Sequence, residues 1–296
     1  ACVMPAFVRI FLRFSPMDNL FFNVMLHVGT LTAVCAVYWR LFLRLIKSFF
    51  RILKKIFTRK FKWGEMDADE NLVMMLIIGL LPLFLLFLPI GGGMKIKDLA
   101  DKWNSDGYLI ITSISLLVTS FLLVIGINAN RKTTILYKSH GKLRADGAGR
   151  RKLNPVDAVF IGLFQAVAAI FPGISRSGST LTAGELRKIN KQRALDYSFV
   201  LGTPAIIAAA LIEGKDALFP ADGSAVSIEF LPTLIGIITS AIVGFLAIRL
   251  FKWLLSTNRM YYFVLYTAGA GIICLVISII ELISGVNLFT QQPLTF

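Results

Sequence analysis

The sequence predicts an all-α polytopic membrane protein: six full spans plus a re-entrant helical hairpin, in an inverted-repeat architecture whose first hairpin is incomplete. Of the 296 residues, 56% are hydrophobic, and the mean hydropathy is +0.73. Apolar segments of about 18–20 residues recur, each long enough to cross a hydrocarbon core of roughly 30 Å. Late in the chain, two shorter apolar segments flank a polar bend. These observations exclude a soluble domain.

The six predicted spans are apolar stretches separated by loops, and they cover about 20–38, 72–90, 108–129, 194–212, 230–250 and 261–280. We divide the chain into an atypical N-terminal segment (1–19), a first membrane repeat of three spans (20–129), a basic cytoplasmic loop (130–155) and a second membrane repeat (156–296). The second repeat begins with the re-entrant hairpin, residues 156–193, and continues with three spans.

A basic stretch follows the first span, and its positive residues recur every three or four positions: Arg40, Arg44, Lys47, Arg51 and Lys54. This spacing places them on one face of a helix. Apolar residues contribute to the remainder of that helix: Leu41, Leu45, Phe49, Ile52 and Phe57. The pattern predicts a helix that lies on an anionic membrane surface.

The distribution of Lys and Arg predicts the orientation. Loops 39–63, 130–155, 185–193 and 249–259 carry 24 of these residues, whereas the loops on the other side and the C-terminal tail carry 4. Because basic loops stay in the cytoplasm, the first set is predicted to be cytoplasmic. The net charge of +14 is therefore a topology signal, and a nucleic-acid partner is not expected.

Residues 156–193 have the pattern of a re-entrant hairpin. Val156–Ile170 spans only 15 residues, about 22 Å of helix, before Pro172-Gly173 breaks it. Irregular backbone at membrane depth is tolerated only where it is buried in protein or lines a wet cavity. The hairpin is predicted to enter from the cytoplasm, with a site at its tip that opens to the outer face.

The bend itself, FPGISRSGST at positions 171–180, has the composition of an oxyanion site. Arg176 is costly at membrane depth, by roughly 2.5 kcal/mol or more, unless it faces a cavity or a partner. The hydroxyls of Ser175, Ser177 and Thr180 supply short donors, and the helix that follows points its positive dipole end at the same place. The alternative is a polar loop whose arginine reaches the membrane interface.

The order of the spans indicates an inverted repeat, a common architecture in which the site lies between the halves. By symmetry, a first hairpin should precede Leu20 and enter from outside. Residues 1–19 are too few and too unpatterned to supply it, so we expect a truncated or altered N-terminus.

Positions 172–180, PGISRSGST, resemble the PGxSRSxxT phosphate-binding motif of the bacterial undecaprenyl-diphosphate phosphatases, also called bacitracin-resistance proteins. Gln165 before the motif and Tyr197-Ser198-Phe199 after it also fit, and residues 20–30 resemble the first full span of that family. The similarity covers about residues 16–283. In this resemblance Arg176, Ser175, Ser177 and Thr180 are the catalytic candidates, and Gly173, Gly178, Ser179 and Gln165 are the candidates for substrate binding.

The resemblance implies a hydrolase of the bacterial plasma membrane that converts a C55 polyprenyl diphosphate to the monophosphate carrier used in peptidoglycan synthesis. Mg²⁺ or another divalent cation is a candidate cofactor without identified ligands. Expected partners are the lipid diphosphate and anionic headgroups at the basic loops; a homodimer is left open. The family's N-terminal acidic motif, of the E/QxxxE type, is not found, since no Asp or Glu precedes Asp18. A polyprenyl-phosphate transporter or flippase and a catalytically impaired phosphatase therefore remain alternatives.

Overall fold

The computed structural model describes residues 16–91, 94–96, 109–143, 147–171, 173–218 and 230–284. Within these ranges the chain forms eight α-helices: α1 Pro16–Phe57, α2 Ala68–Leu80, α3 Leu109–Ser139, α4 Pro155–Ile170, α5 Arg176–Leu186, α6 Lys191–Leu218, α7 Phe230–Ser256 and α8 Tyr261–Ser284. Two 3₁₀ segments, Trp63–Glu65 and Leu81–Phe87, accompany them. Strands β1 (Pro89–Gly91) and β2 (Met94–Lys95) form a short antiparallel pair.

The predicted class, an all-α polytopic membrane protein, is confirmed. In the described part of the chain, five helical segments are long and apolar enough to span a membrane: Met25–Phe57, Ala68–Phe87, Ile110–Ser139, Thr233–Ser256 and Tyr261–Ser284. The remaining predicted span, residues 194–212, lies within the 28-residue helix α6. The predicted N-terminal segment lies almost entirely outside the described residues.

The chain divides into two compact units, which we describe separately. The hairpin unit comprises the described residues within 75–198 and 254–284. The basic-helix unit comprises the described residues within 16–74 and 199–253.

In the basic-helix unit, the first span and the basic stretch form one 42-residue helix, α1, with non-helical backbone angles only at Tyr38. We expected a separate surface helix. The sequence from Tyr38 to Phe57 contains no glycine or proline, so nothing ends the helix there. Tyr38 is buried in a core with Ala33, Val34 and Ile248, and the Lys252 ammonium lies 4.4 Å from the centre of its ring.

The basic part of α1 makes ion pairs with acidic residues around the start of α2. Lys55 donates to Glu70 at 2.7 Å, and the Glu70 carboxylate is fully buried. Arg51 pairs with Asp67, whose pKa is lowered by the hydrogen bond from the Glu70 N–H and by the Arg51 charge. Part of the predicted basic face is thus neutralised within the protein.

The predicted apolar face of this stretch is only partly buried. Leu45 and Ile52 are buried together with Tyr38, at a seven-residue spacing that gives a narrow stripe along the helix. Phe49 is exposed, and Phe57 is 85% exposed. The buried face of α1 is therefore narrower than the sequence pattern predicted.

In the hairpin unit, α3 packs against α8 and α5, and α4 packs against α5 and the 3₁₀ segment Leu81–Phe87. The contact of α4 with that segment depends on Gly162. A Cβ atom at this position would lie 2.3 Å from the Gly79 carbonyl oxygen and 2.9 Å from Pro82. Glycine therefore allows two backbones to approach in the core of this unit.

The chain segments outside α4 and α5 meet, which makes the two helices a hairpin. The Arg150 N–H donates to the Lys188 carbonyl at 2.9 Å, and the Asn190 N–H donates to the Arg150 carbonyl at 2.9 Å. Gly149, with φ +104°, packs against Ile189 and Asn190, where a Cβ atom would lie within 2.6 Å of the Asn190 nitrogen. The residues just before α4 and just after α5 are therefore neighbours.

One carboxylate, that of Asp157, ties these ends together. Both of its oxygens accept hydrogen bonds from the Arg150 guanidinium at 3.0 Å, and Arg187 Nε donates to it at 2.7 Å. The Asn154 N–H donates to it at 3.0 Å, and the Asn154 side chain accepts from the Asp157 N–H, which completes a capping box at the start of α4. Asp157 is fully buried, so these donors replace its hydration.

Asp157→Asn should destabilise the hairpin. The substitution preserves size but leaves Arg150 and Arg187 facing a neutral group that accepts fewer hydrogen bonds. We expect the free energy of unfolding to fall by about 1–3 kcal/mol, the cost of an unmade bond to a charged group. The midpoint of thermal unfolding in detergent should fall accordingly.

The matched control is Asp69→Asn, because Asp69 is partly exposed and lies 4.0 Å from its arginine partner, Arg44. That variant should unfold close to the wild-type temperature. Equal midpoints for Asp157→Asn and the wild type would show that the carboxylate does not hold the hairpin.

Candidate functional site

The bend between α4 and α5 is shaped by Gly173. Its φ of +95° is a conformation that residues with side chains rarely adopt. A Cβ atom would also lie 2.8 Å from the Thr112 carbonyl oxygen and 3.1 Å from Ser115 Cβ, both on α3. Gly173 thus lets the chain turn tightly against α3 directly before the motif helix.

Ser175 is the N-cap of α5. Its Oγ accepts a hydrogen bond from the Gly178 N–H at 3.2 Å, and its carbonyl accepts from the Ser179 N–H at 2.9 Å. Gly178 is the third residue of the helix, and a Cβ atom at this position would lie 3.1 Å from Ser175 Oγ. The cap uses the acceptor side of the Ser175 hydroxyl and leaves its proton available to a ligand.

A threonine on α3 holds this cap in place. The Ser175 N–H donates to Thr119 Oγ1 at 2.9 Å, and the Thr119 hydroxyl donates to the Ser115 carbonyl at 2.9 Å. Thr119 is buried, so this bond is screened from solvent. Sequence reasoning missed Thr119 because it lies 56 residues before Ser175. The available signal was a group of buried hydroxyl residues within one apolar span: Ser113, Ser115, Thr119 and Ser120.

The Thr180 hydroxyl faces the body of the hairpin unit. It donates to the Arg176 carbonyl at 2.8 Å and makes a short contact with the Ser198 hydroxyl of α6. Ser198 also donates to the Ser177 carbonyl at 3.2 Å. Thr180 and Ser198 therefore fix the first turn of α5 from its inner side, and a catalytic role for Thr180 stays a prediction.

Several polar groups on α5 and on α4, which packs against it, have no hydrogen-bond partner in the described part of the chain. Within the described residues, Ser179 Oγ and both side-chain amide atoms of Gln165 are buried without a hydrogen-bond partner. The N–H and hydroxyl of Ser177 have no partner there either. An unpaired buried polar group is costly, and such groups are rare in folded proteins. Their concentration on α5 and its packing neighbour α4 indicates a site for a polar ligand.

The structure brings the predicted motif residues together at one helix N-terminus: Gly173, Ser175, Arg176, Ser177, Gly178, Ser179 and Thr180. Arg176 is the first residue of α5 and is half-buried, and Gln165 is fully buried on α4. A helix N-terminus with an adjacent arginine favours anions because its N–H groups and its dipole point the same way. Individual catalytic and binding roles for these residues remain predictions.

The described residues contain no group of three or more His, Cys, Asp or Glu side chains that could hold a metal ion. The carboxylate of α5, Glu185, lies nine residues after Arg176, roughly 13 Å along the helix axis. The residues described here therefore do not fit a metal centre built by the protein, and we assign no metal ligand.

The family model described as "Bacitracin resistance protein BacA" matches residues 3–273 of this chain. The chain belongs to this family. Its BacA-family relatives include "Undecaprenyl-diphosphatase 4" of Bacillus thuringiensis subsp. konkukian, which is 31% identical over 87% of this chain and 82% of the relative. The "Undecaprenyl-diphosphatase" of Thermomicrobium roseum is 32% identical over 88% and 85%, and that of Alkaliphilus metalliredigens is 31% identical over 88% and 85%. The resemblance inferred from the motif is confirmed.

Replacing Thr119 in this BacA-family chain should weaken the attachment of Ser175 to α3. Thr119→Val keeps the shape of the side chain but removes the acceptor for the Ser175 N–H, which then stays buried and unpaired. We expect a loss of about 1–3 kcal/mol in stability. Binding of methylenediphosphonate, a non-hydrolysable diphosphate, should weaken as well, as measured by the thermal shift it produces.

Thr119→Ser should restore both properties because it returns the hydroxyl. Thr134→Val is the matched control on the same helix, since the Thr134 hydroxyl bonds only within α3. If the valine variant at position 119 bound the diphosphonate as the wild type does, Thr119 would have no part in shaping the site.

Gln165→Met should separate stability from binding. Methionine has a similar size and leaves no unpaired amide in the core, so the free protein should gain about 1–3 kcal/mol. If Gln165 has the predicted binding role, the same variant should lose much of the stabilisation by methylenediphosphonate, because the amide is then missing. A lower melting temperature in the absence of ligand would instead indicate that Gln165 is paired within the protein.

Proposed function

We propose that this chain hydrolyses undecaprenyl diphosphate to undecaprenyl phosphate and inorganic phosphate, which returns the lipid carrier to cell-wall synthesis and confers bacitracin resistance. The observation that carries the proposal is the capped N-terminus of α5, with Arg176 at its first position and unpaired polar groups beside it. An anion site of this kind in a membrane protein suits a lipid with a charged phosphate head. The names of the BacA-family relatives give the same reaction.

In this proposal Arg176 binds the diphosphate. Its planar guanidinium offers two parallel N–H groups to two phosphate oxygens, a geometry that lysine cannot reproduce. The N–H and hydroxyl of Ser177, which have no partner in the described residues, supply further donors. The substrate thereby replaces the hydration that its headgroup loses on entering the site.

The same groups stabilise the transition state. Hydrolysis forms a bond from an attacking oxygen to the terminal phosphorus and breaks the bond from that phosphorus to the bridging oxygen, which leaves with undecaprenyl phosphate. Negative charge develops on the oxygens around the phosphorus, which in this proposal lie beside Arg176 and the helix N-terminus. The attacking oxygen comes from water or from a serine hydroxyl within residues 175–179. The described residues provide no base beside the motif, so we assign Arg176 and the N–H groups at the start of α5 the charge-stabilising role.

A divalent cation such as Mg²⁺ remains part of the proposal as a companion of the substrate. Bound to the diphosphate oxygens, it would neutralise part of their charge. We attribute no step to it, because the described residues do not form a metal site.

We place the protein in the bacterial plasma membrane, with the hairpin entering from the cytoplasm and the site opening to the outer face. The support is the excess of Lys and Arg in loops 39–63, 130–155, 185–193 and 249–259. Anionic headgroups would contact the basic charges that are not paired within the protein. A homodimer stays a prediction.

The decisive test compares phosphate release from a C55 diphosphate in detergent with Mg²⁺ for the wild type, Arg176→Ala and Arg176→Lys. We expect release by the wild type and a loss of about 10²–10³-fold in the alanine variant, the cost of removing one preorganised charge-stabilising donor. The lysine variant should recover only part of the activity, since it lacks the two parallel N–H groups of the guanidinium.

Arg193→Ala is the matched control, because Arg193 is an exposed arginine in the first turn of α6. Its activity should equal that of the wild type. Near-normal release by Arg176→Ala would overturn the assignment. Retained binding of lipid diphosphate without any release by the wild type would favour a carrier or an impaired phosphatase.

A further inference from the structure

A cavity lies in the hairpin unit at the far end of α5 from the motif. Its volume is about 610 Å³, and it is lined by one face of α3 and the end of α5: Ile125, Asn128, Ala129, Lys132, Thr133, Leu136, Glu185, Leu186 and Lys188. The α3 residues recur every three or four positions over three turns, so the cavity is a groove along that helix. The groove is apolar at Ile125 and Ala129 and cationic at Lys132 and Lys188.

Both lysines of the groove are available to a ligand. Neither Lys132 nor Lys188 makes a side-chain hydrogen bond or an ion pair in the described part of the chain. The Glu185 carboxylate, by contrast, accepts from Asn130 Nδ2 at 3.2 Å and faces the positive charge of Lys191. The acidic group in the groove therefore already has partners within the protein, whereas the two lysine side chains have none among the described residues.

The backbone of Lys188 gives an independent reason to consider this cation. It adopts φ +57° at the second residue after α5, where the Lys188 N–H bonds to the Glu185 carbonyl and the Ile189 N–H bonds to the Gly184 carbonyl, each at 3.0 Å. This helix ending favours glycine because a side chain strains the left-handed backbone. A lysine here brings a charge to the groove at a cost that glycine would avoid.

We propose that this groove binds an anionic phospholipid, with the headgroup phosphate at Lys132 and Lys188 and an acyl chain along Ile125 and Ala129. Basic pockets between the ends of membrane helices suit such headgroups. Lys138 in the last turn of α3 and Lys142 just after it add positive charge at the same end of the helix. A soluble phosphate would not use the apolar wall, which also includes Leu136 and Leu186. The site is distinct from the motif, and the proposal does not depend on the phosphatase activity.

The test is native mass spectrometry of the complete chain in detergent, titrated with phosphatidylglycerol or, separately, phosphatidylcholine. The wild type should retain phosphatidylglycerol in preference. Lys132→Ala and Lys188→Gly should each weaken that binding roughly five-fold, the effect of one lipid-facing charge. Lys188→Gly should also unfold at the same or a higher temperature, because it relieves the left-handed backbone.

Arg59→Gly is the matched control. Arg59 has φ +53° just after α1 and is exposed, so this variant removes the same charge and the same strain outside the groove. Ala129→Leu fills the apolar part of the groove while keeping both lysines. We expect Arg59→Gly to weaken phosphatidylglycerol binding less than Lys188→Gly does, because Arg59 lies outside the groove, and we expect Ala129→Leu to lose that binding.

Three results would overturn the proposal: equal retention of both phospholipids by the wild type, equal losses in Lys188→Gly and Arg59→Gly, or unchanged binding in Ala129→Leu. Glycerol phosphate added in excess should not displace the lipid; displacement would indicate a site for soluble phosphate instead. Binding of undecaprenyl phosphate without phosphatidylglycerol would identify a product site and would equally overturn the phospholipid assignment. Phosphate release, measured in parallel, should be unaffected in detergent by all of these variants.

Discussion

The buried Asp157 carboxylate is the interaction on which the hairpin unit depends. It accepts hydrogen bonds from Arg150, which precedes α4, and from Arg187, which follows α5. These contacts set the spacing of two short helices whose other ends carry the motif. Gly149 and the backbone pairing of Arg150 with Lys188 and Asn190 complete the same closure. The positions of α4 and α5 at the bend between them are therefore fixed by ion pairs at the opposite ends of the two helices.

Hydrogen bonds from the neighbouring helices α3 and α6 also hold the start of α5 in place. Thr119 of α3 holds the backbone of Ser175, and Ser198 of α6 holds the first turn of α5. These supports allow Ser177, Ser179 and Gln165 to keep polar atoms unpaired. The free-energy cost of unpaired buried polar atoms is expected at a functional site, because favourable contacts in the rest of the fold compensate for it.

The sequence was informative where the chemistry is local. Two short apolar segments, interrupted by Pro172-Gly173, predicted the helical hairpin. The grouped hydroxyls around Arg176 predicted an anion site. The roles of Thr119 and Ser198 could not be predicted, since each depends on a contact between helices that no periodicity encodes. The basic stretch was partly misinterpreted for the same reason: Asp67 and Glu70, which pair with Arg51 and Lys55, lie beyond the helix whose pattern was considered.

The length of α3 has a consequence for the lipid. The helix has 31 residues, roughly 46 Å, which exceeds a hydrocarbon core of roughly 30 Å. Thr119, its eleventh residue, lies roughly 15 Å from the start of the helix. In the proposed function, a headgroup that reaches the cap of α5 leaves the membrane surface and moves toward the bilayer midplane. Each turnover would then include the work of moving a diphosphate inward, and the depth of the site would favour substrates whose long apolar tails stay in the bilayer.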